Sequence, residues 1–223
     1  MNIFRELRRF KRGSGQSLVE LAILFPLLLI MLAGMVEVAF GMFAYLTALD
    51  LTREAARFAS LRDYNEQELE NPSDPATACT DDVLHFYYDA ACFFTDDDLN
   101  PFLDFRADKY DDVVITVFTV ANDHISDHHP DADGWSLNSD NWKKDCQGNV
   151  VRNSPFFPDS YIEDHFIPNA PSDRGIVLVE TWVCYDMVLN LPFISDFIPS
   201  PFRIHTYTIM PAPEAIPTPT PIP

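Results

Sequence analysis

LAILFPLLLIMLAGMV, Leu21 to Val36, decides how this chain is read, because sixteen consecutive residues carry no charge at all. From Leu21 to Leu49 the one ionisable side chain other than tyrosine is Glu37. A bilayer's hydrocarbon core takes about 20 mostly apolar residues as a helix, and the segment from about 18 to 40 supplies them. A buried core helix of that length should show a polar stripe, and none appears before Ala48. Pro26 removes one intrahelical hydrogen bond, a loss that membrane helices tolerate better than soluble ones. A cleaved secretory signal is the weaker reading. Its apolar part should span roughly 7–15 residues and end at small residues, whereas here Met42, Phe43 and Tyr45 follow.

Charge is divided by this segment. Residues 1–15 hold Arg5, Arg8, Arg9, Lys11 and Arg12 against Glu6, while residues 63–223 hold 7 bases against 29 acids. The positive-inside bias therefore puts the basic leader in the cytoplasm and the acidic body outside, on a single-pass chain. A body so acidic disfavours nucleic acid, whose phosphates are met by clustered Lys and Arg. Beyond the span, LTALDLTREAARFASLRDY keeps helix formers and has no Gly or Pro until Pro72. Asp50 with Arg53, and Glu54 with Arg57, stand three apart and support a helix modestly. Residues 16–62 thus read as one helix, close to 70 Å long at about 1.5 Å per residue.

At the inner lip of the apolar run stand Gly15, Gln16 and, five residues after the glycine, Glu20. Charge near hydrocarbon is costly unless paired or kept at the interface, and a carboxylate at the cytoplasmic boundary near Arg12 satisfies the second condition. RGSGQSLVELAILFPLLLIMLAGMVEVAFGMFAYLTALDLTREAARFAS, Arg12 to Ser60, resembles the TadE-like family of minor pseudopilins from the tight-adherence (Flp/Tad) branch of type IV pilus machines. The G-Q-S-L-V-E-L-A opening, Pro26, Glu37 and the closing R-E-A-A-R carry the resemblance. It implies cleavage by a prepilin-type peptidase after Gly15, leaving Gln16 as the new N-terminus and Glu20 as the fifth mature residue. There the carboxylate is expected to pair with the α-amino group of a neighbouring subunit. Position six is Leu21 instead of the aromatic common in the major fibre subunit, which favours a minor role. The implied partners are the peptidase, other pilin-like subunits, the membrane assembly platform and the lipid bilayer of a bacterial cytoplasmic membrane.

The outer part, residues 63–210, is expected to be an extracytoplasmic α+β domain with long loops. Val113 to Val120 is β-branched and apolar on both faces, as a central strand requires. Ile176 to Met187 is similar, and Arg203 to Ile209 alternates as an edge strand does. Asp81 to Phe94 reads as a short helix or irregular cover, and Ala121 to Gly175 as a long polar loop. The small antiparallel sheet should pack against the outer half of the long helix. Residues 211–223, with six prolines, read as an extended tail outside any core.

Four cysteines, Cys79, Cys92, Cys146 and Cys184, lie in the part placed outside, where disulfides form, with three connectivities open. Pairing Cys79 with Cys92 closes the shortest loop, and pairing Cys146 with Cys184 tethers the long loop to the sheet. His129, Asp131, Asp133 and Asp140, with Gly134 between, partly match a calcium loop. Histidine is a poor first ligand for a hard cation, and Ser136 stands where an apolar residue is expected. A solvated polar loop is the preferred reading, with no cofactor. Neither a Gly-rich phosphate loop nor a local Cys–His motif occurs, so no enzyme is expected. The competing expectations are a single-pass surface protein whose acidic ectodomain binds a ligand or cation, and a secreted metal-dependent hydrolase.

Overall fold

The computed structural model describes residues 14–62, 64, 85–96, 103–169, 174–189, 199–213 and 215. Helix α1 runs unbroken from Ser14 to Ser60 with Pro26 inside it. Its lower part exposes large apolar side chains from Leu18 onward, and it is the one helix among the described residues long and apolar enough to cross a membrane. It is a candidate membrane anchor. The Asp50–Arg53 and Glu54–Arg57 ion pairs form at 3.4 and 2.8 Å. Both are solvent-exposed and contribute little.

The upper part of α1 meets a sheet. Strands β1 (Asp112–Ala121), β2 (His124–His129), β4 (Gly175–Tyr185) and β5 (Phe202–Ala212) lie in the order β2-β1-β4-β5. The short β3 (Trp135–Ser136) also pairs with β1, and every pairing is antiparallel. The fold is α+β, with the small sheet against the long helix. The two β-branched runs are the two central strands.

Both faces of β1 and β4 are covered, which accounts for their apolar character on both sides. On one face Val113, Ile115, Val117, Val177 and Val179 pack on Ala55, Ala56 and Ala59 of α1 and on Phe86, Ala90 and Phe94 of α2 (Phe86–Thr95). On the other, Phe118, Val120, Ile176 and Leu178 pack under Phe157, Ile162 and Ile167. Ile162 is fully buried in α3 (Asp159–His165), so the stretch 121–175 is more than a loop. It holds β2, β3, α3 and two short 3-10 turns, and it forms the sheet's second covering layer. Periodicity alone did not mark these elements, since β2 reads HISDHH at an edge and α3 has only seven residues.

The C-terminal boundary also moves. Strand β5 continues through Pro211 to Ala212, and Ala212 and Ala215 are buried in the α1-side core. Proline is compatible with an edge strand because it owes no hydrogen bond on the open side. Gly175, opposite Ala212, is required by the same packing: a Cβ there would meet the Ala215 carbonyl at 2.7 Å and that of Phe118 at 2.8 Å. The expected extended tail beyond residue 215, the leader through residue 13, and the expectation for residues 81–84 lie outside the described residues.

Contact between helix and sheet rests on small side chains. Gly41, Ala44, Ala48, Thr52, Ala55 and Ala59 recur three or four apart along one face of α1, with Gly34 seven residues before Gly41, the spacing of a single stripe. At the centre of the contact the buried Thr52 hydroxyl donates to the Ala48 carbonyl at 2.6 Å. It thereby accepts from the hydroxyls of Thr181 on β4 and Thr206 on β5, at 2.8 and 2.9 Å. Ala55→Leu should destabilise the domain by about 1–3 kcal/mol, as overpacked cores do. Denaturant melts of both proteins in the same detergent measure it, and an unchanged midpoint would refute the close packing.

Candidate functional site

Gly15 and Gln16 lie in the first turn of α1. Glu20, one turn on, is solvent-exposed on the same helix. The first buried side chain of α1 among the described residues is another acid, Glu37, only 6% exposed. Its two oxygens accept the backbone N–H groups of Val188 and Leu189 at 2.7 and 2.8 Å. Such charge-assisted bonds hold a carboxylate where water is scarce. The segment after β4 is thereby fixed to the helix.

Strand β4 descends along α1 toward this clasp. Thr181 stands at Thr52, Val183 packs with Ala48, and Tyr185 and Phe202 approach Gly41. Between helix and strand ends opens a cavity of about 700 Å³ lined by Gly34, Gly41, Met42, Tyr45, Tyr185 and Phe202. Sequence reading recorded Glu37 as an acid within the span but gave it no partner. The small-residue stripe that begins at Gly34 was the signal that this face is covered.

On the outer face of the sheet, charged groups bind the covering layer to the strands. Asp111 accepts the N–H groups of Cys184 and Arg106 at 2.7 and 2.8 Å. Asp112 accepts from the Ser136 hydroxyl at 2.7 Å and from the N–H groups of Trp142 and Asn138 at 2.9 and 3.0 Å. Arg203 donates to the carbonyls of Lys144 and Asn141. Burial pushes the Asp111 carboxyl up to about 6 against these hydrogen bonds, and raises Asp112 as well. Burial also pushes the Arg203 guanidinium down to about 10, opposed by the two aspartates. Cys146 and Cys184 form a disulfide that joins the covering layer to β4, the tether named among the sequence alternatives. Cys92 is disulfide-bonded too, whereas Cys79 lies outside the described residues.

The calcium-loop candidates are engaged with other partners. Lys143 places its ammonium 2.8 Å from Asp133 and 3.2 Å from Asp140. Asp131 accepts the N–H of Asp133 at 2.9 Å, and His129 meets the Tyr64 hydroxyl at 3.1 Å. Among the described residues no three His, Cys, Asp or Glu side chains are grouped to hold a metal ion.

Residues 15–57 match the family model described as TadE-like protein. This segment is TadE-like. The match begins at Gly15, covers Glu20 and Glu37, and ends within the part of α1 that carries the sheet. Comparison with curated proteins and with solved structures returned no match.

Asp111 generates a pH prediction. A carboxyl whose value rises from 3.8 to about 6 binds a proton on folding, so its contribution to stability is full below 3.8 and is lost as pH rises through 6. Asp111→Asn removes that slope. Across this window the variant should gain on the parent by on the order of 3 kcal/mol as pH rises. Denaturant midpoints at several pH values read the difference, and parallel curves would contradict the assignment.

Proposed function

We propose that this protein is a membrane-anchored, minor pilin-like subunit of a Tad pilus or related secretion filament. The observation that carries the reading is the TadE-like match over residues 15–57, which spans the apolar helix and starts at the glycine of the expected cut. In this reading a prepilin-type peptidase cleaves after Gly15 on the cytoplasmic side and Gln16 becomes the N-terminus. The acidic domain then lies outside, and the subunit enters an assembly through α1.

Glu20 is the charge that makes such assembly selective. Exposed on the helix beside hydrocarbon, its carboxylate is stabilised when the new α-amino group of an adjacent subunit neutralises it. A mispaired subunit leaves a charge uncompensated in a low dielectric, which costs several kcal/mol. Register along the filament follows from that penalty. The other pilin-like subunits and the assembly platform are the partners of this reading.

Two substitutions separate the steps. Gly15→Ala should leave the basic leader attached, visible as an intact N-terminus by mass spectrometry; normal processing would defeat the cleavage site. Glu20→Ala should be cleaved normally yet lose co-purification with other pilin-like subunits. Undiminished co-purification would remove the charge-pairing role.

A further inference from the structure

We infer that the globular domain lies on the bilayer at the β4–β5 strand ends, with an outer-leaflet phospholipid chain filling the cavity between those ends and α1. The inference rests on the membrane anchor and on the orientation proposed above, and is independent of any pilus role.

Length places the strand ends. Leu18 to Val36 is 19 residues, about 28 Å of helix, close to the roughly 30 Å hydrocarbon core. Glu37, where the domain first touches the helix, therefore stands at the outer limit of the hydrocarbon. Exposed apolar side chains do not stop there. Val38, Met42, Phe43 and Leu46 remain exposed on the sides of α1 that the sheet leaves open. Leu18 to Leu46 measures about 43 Å, which fits the roughly 40–45 Å of a bilayer with its headgroup regions and not the hydrocarbon alone. The span from Glu37 to Leu46 thus belongs to the outer headgroup region.

The strand ends share that level. Val188 and Leu189 hang on Glu37 itself, and Tyr185 and Phe202 lie beside Gly41. Val188 is 58% exposed and Leu189 41%, so among the described residues this end of the domain presents aliphatic side chains toward the membrane. Tyr45, Tyr185 and Phe202 supply the aromatic rings that favour an interface. Both Glu37 oxygens are already occupied by backbone N–H groups, so the clasp adds no unsolvated charge.

The cavity chemistry selects its occupant. Its wall is mostly apolar and aromatic, although Glu37, Arg203 and His205 also line it; it is continuous with the exposed apolar surface of α1 and, by the length argument, opens at headgroup depth. The Tyr185 and Phe202 rings stand at its wall, and a phospholipid acyl chain matches that surface. The 22 excess negative charges of residues 63–223 oppose an anionic surface, so contact with lipid rests on apolar side chains and a zwitterionic lipid suffices.

The test uses the full chain in phosphatidylcholine vesicles at high lipid-to-protein ratio. Val188→Cys and Leu189→Cys, both at exposed positions, are labelled with an environment-sensitive fluorophore. His124→Cys, at the opposite end of the sheet beside the β1–β2 turn, is the control. Labels at 188 and 189 should emit blue-shifted light and be quenched about twofold or more by lipids carrying a nitroxide near the top of the acyl chain, the depth of interfacial insertion. The control should be unquenched. Water-like emission at 188 and 189 overturns the inference. A blue shift without nitroxide quenching overturns it equally, because a protein surface, such as a second copy of the chain, then covers this end.

Discussion

Everything beyond the candidate membrane anchor depends on how closely the sheet can approach α1. An α-helix with side chains is about 10–12 Å across, and large residues on the facing stripe would hold the strands away. Gly41, Ala44, Ala48, Thr52, Ala55 and Ala59 reduce that face almost to backbone. Valines and isoleucines of β1 and β4 fill the space so released. The three threonine hydroxyls then close a polar contact that fixes one longitudinal setting, because Thr181 and Thr206 each come within 3 Å of Thr52 there. One helix therefore presents two surfaces: exposed apolar side chains along its lower length, the candidate membrane anchor, and a protein core on one face of its upper length.

The buried carboxylates follow a common rule. Glu37, Asp111 and Asp112 each accept at least two N–H or hydroxyl donors, and Arg203 reaches main-chain carbonyls through its two terminal nitrogens while its Nε has no partner among the described residues. Leaving any of these carboxylates unpaired would cost more than a hydrogen bond contributes. Each tie also joins segments far apart in sequence: α1 to the segment after β4, the approach to β1 to β4, and the covering layer to β5. Polar groups here replace the regular connections that a short, loop-rich layer cannot provide. The Cys146–Cys184 disulfide reinforces the same junction across 38 residues of chain.

What could be read from sequence was what repeats. The uncharged run from Leu21, the helix formers after Ala48, and the doubly apolar strands β1 and β4 all announce themselves by pattern, and they carry the α+β architecture. The covering layer was not legible because its burial rests on isolated residues, Trp142, Phe157 and Ile162, set among polar ones. Ala212 and Ala215 were hidden by the prolines around them. Glu37 was visible as an anomaly, but its partners are backbone N–H groups 151 and 152 positions away, which no local pattern encodes. The spacing of Gly34, Gly41, Ala44 and Ala48 did encode the covered face; it was masked by the general apolarity of the span.

The edges of the sheet carry a consequence for how copies of this chain can meet. Strand β2 bears His124, Asp127, His128 and His129 within six residues, and its pairing with β1 is interrupted at Thr119 and Val120. Strand β5 carries Arg203, His205 and Pro211. Charged, bulged or proline-bearing edges discourage strand addition from another molecule. Edge-to-edge stacking of such domains into continuous sheets is therefore disfavoured. An array built through the helices would carry the sheet as cargo.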